Sequence, residues 1–193
     1  MITDRTARKP AAEIAEYWTY ERYLRETADG EFFSVIGGQR LMAPSPNRLH
    51  QVVLINLASH LKEFAKQNQA GTVMIAPFDV YLSDNEFVQP DILLLTKEHT
   101  ARLTDNGVMG APDLVIEIVS PGSARTDRVI KRDLYAKHGV PEYWIVSPTE
   151  YTVDVMSLKE GQYVSVGLYE DEEVLASPLL AGFSIKVSTL FEE

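Results

Sequence analysis

The segment from residue 113 to residue 147 constrains the fold more than any other part of the sequence. Two apolar runs with the character of buried strands, 113–119 and 141–147, flank a stretch of helical periodicity over 124–138. A helix between two such strands is typical of a right-handed crossover that joins parallel strands. The sequence therefore predicts an α/β or α+β fold, in which helices pack against a mixed sheet.

The other segments predict two more helices and several strands around this unit. The recurrence of apolar residues predicts an amphipathic helix over 48–67 and a helix over 11–28 that includes Ile14. The interval 97–110 is expected to be a loop or a short helix. Ser123 or Thr126 is expected to cap the helix over 124–138, and Val129 is expected to face the core. Alternating or continuous apolar runs predict strands on both sides of Gly37-Gly38, two strands over 71–83 with a kink at Pro77, one over 87–96, an antiparallel hairpin around Glu160-Gly161 and a final strand near the end of the chain.

The length and composition favour a single domain. The chain has 193 residues, of which 45% are hydrophobic, which is enough to bury one core. We expect one domain over 1–193, with a helix and hairpin appendage over 1–45 and a core over 46–193. Cysteine is absent, which excludes disulfides and thiolate metal sites. No apolar run approaches the ~20 residues of a membrane span, and the first residues lack a signal-peptide core, so we expect a cytoplasmic protein without a membrane partner.

The charge is acidic overall but uneven. The net charge is −10, which repels nucleic acid at long range. Residues 121–140 nevertheless hold five Lys/Arg against two Asp, a local charge of +3. This segment is either a solvated helix face or a surface that contacts phosphates.

The strand over 113–119 contains one ionisable residue, Glu117, in an otherwise apolar run. Burying an unpaired carboxylate costs several kcal/mol, so Glu117 needs a partner or a metal ion. Asp91 stands at the start of the apolar run 92–95, and the two carboxylates can meet if their strands are neighbours. Two hard oxygen ligands suit Mg²⁺ or Mn²⁺.

The predicted helix that follows offers a cation. Asp127, Lys131 and Tyr135 are spaced i, i+4 and i+8, which forms one polar stripe on a helix. Lys131 could therefore point toward Glu117 and stabilise negative charge on a phosphate. In the alternative interpretation, Glu117 and Lys131 form only a salt bridge that holds the helix on the sheet, and Asp91 only caps a turn.

These residues resemble a known family. The runs "QPDILLL", "PDLVIEIVSPGS" and "TDRVIKRDLYAKHGVPEYWIVSP", together with "PSPNRLHQVV" and "FDVYLS", are similar to the Uma-two family of proposed bacterial endonucleases. That family belongs to the PD-(D/E)XK restriction-endonuclease-like superfamily. The resemblance implies a mixed sheet core flanked by helices, with extra antiparallel hairpins here.

The resemblance also implies a metal-dependent DNA endonuclease with a Mg²⁺ or Mn²⁺ cofactor. Asp91 and Glu117 match the two acidic metal ligands. Val119 stands where the superfamily usually has its lysine, and Lys131 on the next helix matches the relocated lysine of this family. Residues that could assist the site or the substrate follow from the same comparison and from their positions: His50, Asp79, Ser120, Asp127 and Tyr135 as accessory groups, and Arg125, Arg128 and Arg132 as contacts to flanking phosphates.

One departure from the family pattern favours a second function. Family members commonly have a Glu in the early hairpin, where this chain has Ser34. The chain could therefore be a weak or inactive nuclease-fold protein that acts as a binding module. The predicted antiparallel ribbons also offer strand edges for a homodimer.

Overall fold

The computed structural model describes residues 16–28 and 30–193. Three α-helices lie in this part of the chain: α1 (Tyr20–Glu26), α2 (Arg48–Asn68) and α3 (Arg132–Lys137). A π-helical segment, Thr126–Lys131, leads directly into α3, and 3₁₀ turns cover Lys97–Arg102 and Val187–Leu190.

The strands form two larger sheets and a short ribbon. The strand bounds are β1 Ser34–Ile36, β2 Gln39–Leu41, β3 Gly71–Ile75, β4 Asp79–Ser83, β5 Glu86–Val88, β6 Ile92–Thr96, β7 Gly107–Met109, β8 Leu114–Ile118, β9 Glu142–Ser147, β10 Thr152–Lys159, β11 Gln162–Glu170, β12 Val174–Ala176 and β13 Ser184–Lys186. The six-stranded sheet has the order β11-β10-β9-β8-β6-β3, the five-stranded sheet has the order β2-β1-β5-β4-β7, and β12 pairs with β13 in the ribbon.

The predicted parallel pairing of the two strands that flank the helix is confirmed. Strands β8 and β9 are parallel neighbours, with Leu114 opposite Glu142 and Ile118 opposite Val146. Both strands are buried along their whole length, which explains their continuous apolar runs. The fold is α+β, with mixed sheets flanked by helices.

The six-stranded sheet carries a hydrophobic core on each face. Helix α2 packs on one face through Val53, Leu57 and Leu61, which are fully buried together with Ile116 of β8. Its first turn is capped by Asn47, whose side chain accepts a hydrogen bond from the His50 backbone N–H at 2.9 Å. The segment around α3 packs on the opposite face, so the sheet is covered on both sides.

The expected strand over 87–96 is wrong, because Gln89, Pro90 and Asp91 interrupt it. Residues 86–88 belong to the five-stranded sheet and residues 92–96 belong to the six-stranded sheet. Proline lacks the N–H that a strand ladder needs and restricts the residue before it. The chain therefore changes sheets at the position where Asp91 lies.

Three smaller expectations also need correction. The interval 97–110, expected as a loop or short helix, contains strand β7 as well as a 3₁₀ turn. Neither Ser123 nor Thr126 caps the following helix; the Ser120 hydroxyl instead accepts from the Ser123 N–H at 3.2 Å. Val129, expected to face the core, is 45% exposed.

The N-terminal prediction is confirmed in part. The hairpin around Gly37-Gly38 forms as expected, and α1 occupies only the second half of the helix predicted over 11–28. Ile14 and the start of that predicted helix lie outside the described residues. The division into an appendage over 1–45 and a core over 46–193 stays a prediction. None of the described helices combines the length and hydrophobicity needed to cross a bilayer.

Candidate active site

Asp91 directly precedes β6, and Glu117 lies on the neighbouring strand β8. In the antiparallel pair of β6 and β8, Ile92 is opposite Ile116. If this register is continued by one residue beyond the start of β6, Asp91 is across from Glu117. The Asp91 Oδ2 accepts a hydrogen bond from the Ile118 N–H at 2.7 Å. The side-chain oxygen of Asp91 thus accepts the hydrogen bond that a backbone carbonyl would accept in a continued strand. This bond fixes the position of the carboxylate.

Glu117 is enclosed by donors from the crossover helix. It is only 2% exposed, and its Oε2 lies 2.8 Å from the Lys131 Nζ while its Oε1 accepts from the Tyr135 hydroxyl at 2.7 Å. Lys131 Nζ is also 3.2 Å from Asp127 Oδ1. The stripe that the spacing predicted is therefore present: Lys131 and Tyr135 contact Glu117 directly, and Asp127 contacts Lys131.

The charges of this group are strongly coupled. Burial raises the pKa of Glu117 to about 8, although the Lys131 ammonium opposes the shift. The nearby charges of Asp127 and Asp91 raise the same pKa further. Burial alone would lower the pKa of Lys131, but Glu117 and Asp127 outweigh it and raise that pKa. The ammonium is shared by two carboxylates, so Lys131 stays charged at the pH where Glu117 can take up a proton.

A cavity of about 430 Å³ opens onto this group. Its polar lining includes Asp91, Glu117, Asp127 and Lys131. The salt-bridge interpretation of Glu117 and Lys131 does not require a cleft beside the pair. The structure therefore gives these side chains a space in which a ligand can reach them.

Two of the predicted accessory residues also line the cavity. The His50 Nε2 lies 3.3 Å from Asp91 Oδ1, and the His50 Nδ1 is buried without a hydrogen-bond partner among the described residues. Ser120 lines the cavity as well. A smaller cavity of about 80 Å³ adjoins the first and is lined by Ser34 together with Asp127 and Lys131. The position that departs from the family pattern therefore borders the site.

Asp79 is separate from this group. It is not part of the cavity lining; it accepts hydrogen bonds from the Gln89 amide at 2.6 Å and the Tyr20 hydroxyl at 3.4 Å. Burial raises the pKa of Asp79, and these hydrogen bonds oppose the shift. Gln89, which does line the cavity, links Asp79 to the site.

The three arginines expected at flanking phosphates lie outside the cavity lining. Arg128 pairs with Glu150 at 3.1 Å, and Arg132 pairs with Asp133 at 2.9 Å. Arg125 is exposed. The basic segment is therefore mostly a solvated and ion-paired helix face where the structure describes it.

Sequence reasoning missed several residues of the site and its surroundings. Phe32 and Gln89 line the cavity, and neither was predicted as a site residue. His99 and His138 lie 2.6 Å from the buried carboxylates of Asp113 and Glu86, respectively. Paired histidines of this kind have no recognisable sequence spacing, because their partners are 14 and 52 positions away. Tyr143 and Trp144 are fully buried and belong to the core.

The set of donors at the site limits which metal could bind. Among the described residues, no group of three or more His, Asp or Glu side chains is arranged to hold a metal ion. Asp91 and Glu117 contribute two carboxylates, and each carboxylate oxygen has a second lone pair beyond its present hydrogen bond. Mg²⁺ keeps several waters and is often held by one or two carboxylates plus substrate phosphates. The two residues therefore fit Mg²⁺ or Mn²⁺ better than a metal that needs a complete protein cage.

Comparisons with known proteins place the chain in a family. The model of the Uma2 family, described as "Putative restriction endonuclease", matches residues 17–188. A solved structure of a protein from Anabaena variabilis ATCC 29413, described as a "putative nuclease belonging to DUF820", is similar with a TM-score of 0.75 at 20% sequence identity, covering 90% of this chain and 97% of that one. No protein of curated function matches. At this identity the solved structure shows the shared fold, whereas the family model spans most of the chain, and the protein therefore belongs to the Uma2 family.

Proposed function

We propose that this protein is a metal-dependent nuclease that hydrolyses phosphodiester bonds in DNA. One observation carries the proposal: Asp91, directly before β6, and Glu117, on the neighbouring strand β8, line the same cavity as Lys131. The family description as a restriction endonuclease supports the nuclease class, and DNA is the substrate that this description implies.

Asp91 and Glu117 would hold Mg²⁺ or Mn²⁺, and the backbone carbonyl of the strand near Ile118 is a further candidate ligand. When bound, such an ion supplies a water of lowered pKa and neutralises charge on the scissile phosphate. The protein's part is to keep the two carboxylates in place. The Ile118 N–H holds Asp91, and Tyr135 and Lys131 hold the two oxygens of Glu117.

Lys131 would act on the phosphate or on the attacking water. Its ammonium is buried with only 11% of the side chain exposed, and it faces the cavity beside Glu117. A cation in a site of low dielectric stabilises developing negative charge more strongly than one in water. Asp127 and Tyr135 are positioning residues, because they contact Lys131 and Glu117.

The test is cleavage of a labelled DNA with Mg²⁺ or Mn²⁺, comparing wild type with Asp91→Asn and Glu117→Gln. Both variants should lose at least 100-fold in rate, because each replaces a carboxyl group, which can ionise to bind the metal, with an amide that cannot. Calorimetric titration with Mn²⁺ should show binding to wild type and a loss of binding in both variants. The matched control is Glu142→Gln, since Glu142 is equally buried but lies outside the cavity. Per folded molecule, this control should cleave like wild type.

Full cleavage by either Asp91→Asn or Glu117→Gln would contradict the assignment. A binding module with an inactive site is the second candidate function. It is favoured by the absence of a third carboxylate or histidine ligand among the described residues and by Ser34 at the border of the site. An absence of Mn²⁺ binding at millimolar concentration, together with an intact fold, would favour this second candidate.

A further inference from the structure

Half of the residues that line the cavity beside the carboxylates are apolar. They include Phe32, Pro44, Leu54 and Ile75. Phe32 is 49% exposed and Ile75 is 47% exposed, so both side chains present apolar surface to solvent. Apolar residues left open beside catalytic groups indicate that part of the ligand is itself apolar.

Cations are scarce in this cavity. Lys131 is the only lysine or arginine in the lining that the structure describes, and its ammonium already contacts Glu117 and Asp127. Proteins that follow the backbone of a duplex neutralise several phosphates with free lysines and arginines. The chemistry of this cavity therefore differs from that of a surface that holds a duplex.

We propose that the cavity binds one unpaired nucleotide of single-stranded DNA, with its phosphate at Asp91, Glu117 and Lys131 and its base against Phe32. This inference rests on the proposed nuclease function, because it assigns the substrate class of the same site. A volume of about 430 Å³ lies in the range of pockets that enclose a single small molecule. An aromatic ring beside the scissile position holds a base by stacking, and stacking tolerates any sequence.

The paired state of DNA excludes this arrangement. A base inside a duplex is stacked between its neighbours and cannot reach Phe32 unless it is extruded, which costs a few kcal/mol for unpairing and unstacking. An unpaired nucleotide has no base pair to break, so its cost is smaller. The preference for a single strand therefore follows from the location of Phe32 and from the scarcity of free cations near the carboxylates.

The experiment measures fluorescence anisotropy of a labelled 12-nucleotide single strand and of the duplex of the same sequence. Asp91→Asn serves as the background, so that neither DNA is cut. The single strand should bind at least tenfold more tightly than the duplex. Adding Phe32→Ala should weaken single-strand binding at least fivefold, whereas Phe32→Trp should retain it, because stacking needs an aromatic face. Leu168→Ala is the control, since Leu168 is 62% exposed and does not line the cavity.

Equal or tighter binding of the duplex, or equal effects of Phe32→Ala and Leu168→Ala, would overturn this inference. Cleavage by the wild-type protein separates it from the proposed function. Metal-dependent cleavage of the duplex alone would overturn the single-strand inference and leave the nuclease proposal intact. Phe32-dependent single-strand binding without cleavage of either DNA would support the inference and remove the nuclease proposal.

Discussion

Two buried glutamates in this protein have opposite surroundings. Glu117 faces a cavity and contacts an ammonium and a phenol. Glu142 is 1% exposed and accepts hydrogen bonds from the Trp144 indole at 2.7 Å, the Ser177 hydroxyl at 2.6 Å and the Leu179 N–H at 2.8 Å. Three neutral donors meet the hydrogen-bonding needs of Glu142 away from the cavity, which indicates a structural role. Glu117 instead contacts the charged Lys131 and faces open space, so a ligand can reach it.

The raised pKa of Glu117 predicts how stability depends on pH. The folded state holds a proton on Glu117 up to about pH 8, whereas the unfolded chain releases it near the ordinary value of about 4.3. The folded state therefore binds more protons between these two values, and the stability that this proton provides falls as pH rises through the interval. Lys131 remains charged throughout and contributes no slope there, because its pKa is raised.

The measurement is urea unfolding of wild type and Glu117→Gln from pH 4 to pH 9, with a chelator present. Glutamine imitates the protonated carboxyl at every pH. The free energy of unfolding of wild type, relative to the variant, should be highest below about pH 4.5 and should decline until about pH 8. A relative stability that increases with pH would contradict the raised pKa of Glu117. It would show that the Lys131 ammonium stabilises the ionised carboxylate by more than burial destabilises it.

At the scale of elements, the π-helical segment decides how the crossover helix meets the sheet. It spans Thr126–Lys131 and continues into α3, so Asp127 and Lys131 come from the widened turn and Tyr135 from the regular helix. Such π turns inside α-helices are frequent at functional sites. Here the widened turn still leaves Lys131 within reach of both Asp127 and Glu117.

A second ion group joins the two larger sheets near the end of α3. Glu86 of β5 is 7% exposed, and its carboxylate lies 2.8 Å from the Lys137 Nζ and 2.6 Å from the His138 Nε2. Burial alone would raise the pKa of Glu86, but the hydrogen bonds from Lys137 and His138 outweigh it and lower that pKa. Strand β5 belongs to the five-stranded sheet and α3 packs on the six-stranded one, so this group fastens the two together.

We predict that Glu86→Gln lowers the free energy of unfolding by about 1.5–3 kcal/mol, because the charge-assisted hydrogen bonds are lost in a buried place. The control is Asp133→Asn, which removes the exposed pair with Arg132 and should change the free energy by less than about 1 kcal/mol. Urea denaturation of the three proteins at pH 7 measures both values. Equal stability of the Glu86 variant and the control would show that the two sheets are held together by apolar contacts alone.

The sequence predicted the elements whose signal lies within one segment. The helix over 48–67 and the parallel pair around residues 113–147 depend on local periodicity and on burial of one continuous run, and both are present. The exchange of sheets at Gln89-Pro90-Asp91 was missed, because an apolar run looks the same whether one sheet or two sheets bury it. The sealed surroundings of Glu142 and the place of Phe32 were also missed, since both depend on partners distant along the chain.

Over the whole molecule, the distribution of charge limits how DNA can be held. The net charge is −10, and the arginines on the basic segment are either ion-paired, as Arg128 and Arg132 are, or outside the cavity lining, as Arg125 is. A phosphate contact by Arg128 or Arg132 must first replace a carboxylate on the protein. Affinity for a single strand should therefore come mainly from Phe32 and from the site itself.

The dependence of binding on salt tests this distribution. For single strands, the slope of log K against log salt concentration is about −0.7 for each phosphate that the protein neutralises. One or two neutralised phosphates give a slope of about −0.7 to −1.4, and we predict a value in this range for Asp91→Asn with a labelled single strand between 50 and 200 mM KCl. A slope steeper than about −3 requires at least four neutralised phosphates. Lys131 of the cavity and one cation elsewhere on the surface could neutralise only two. Such a slope would assign phosphate contacts to Arg125, Arg128 and Arg132, and substituting each by serine would then reduce its magnitude stepwise.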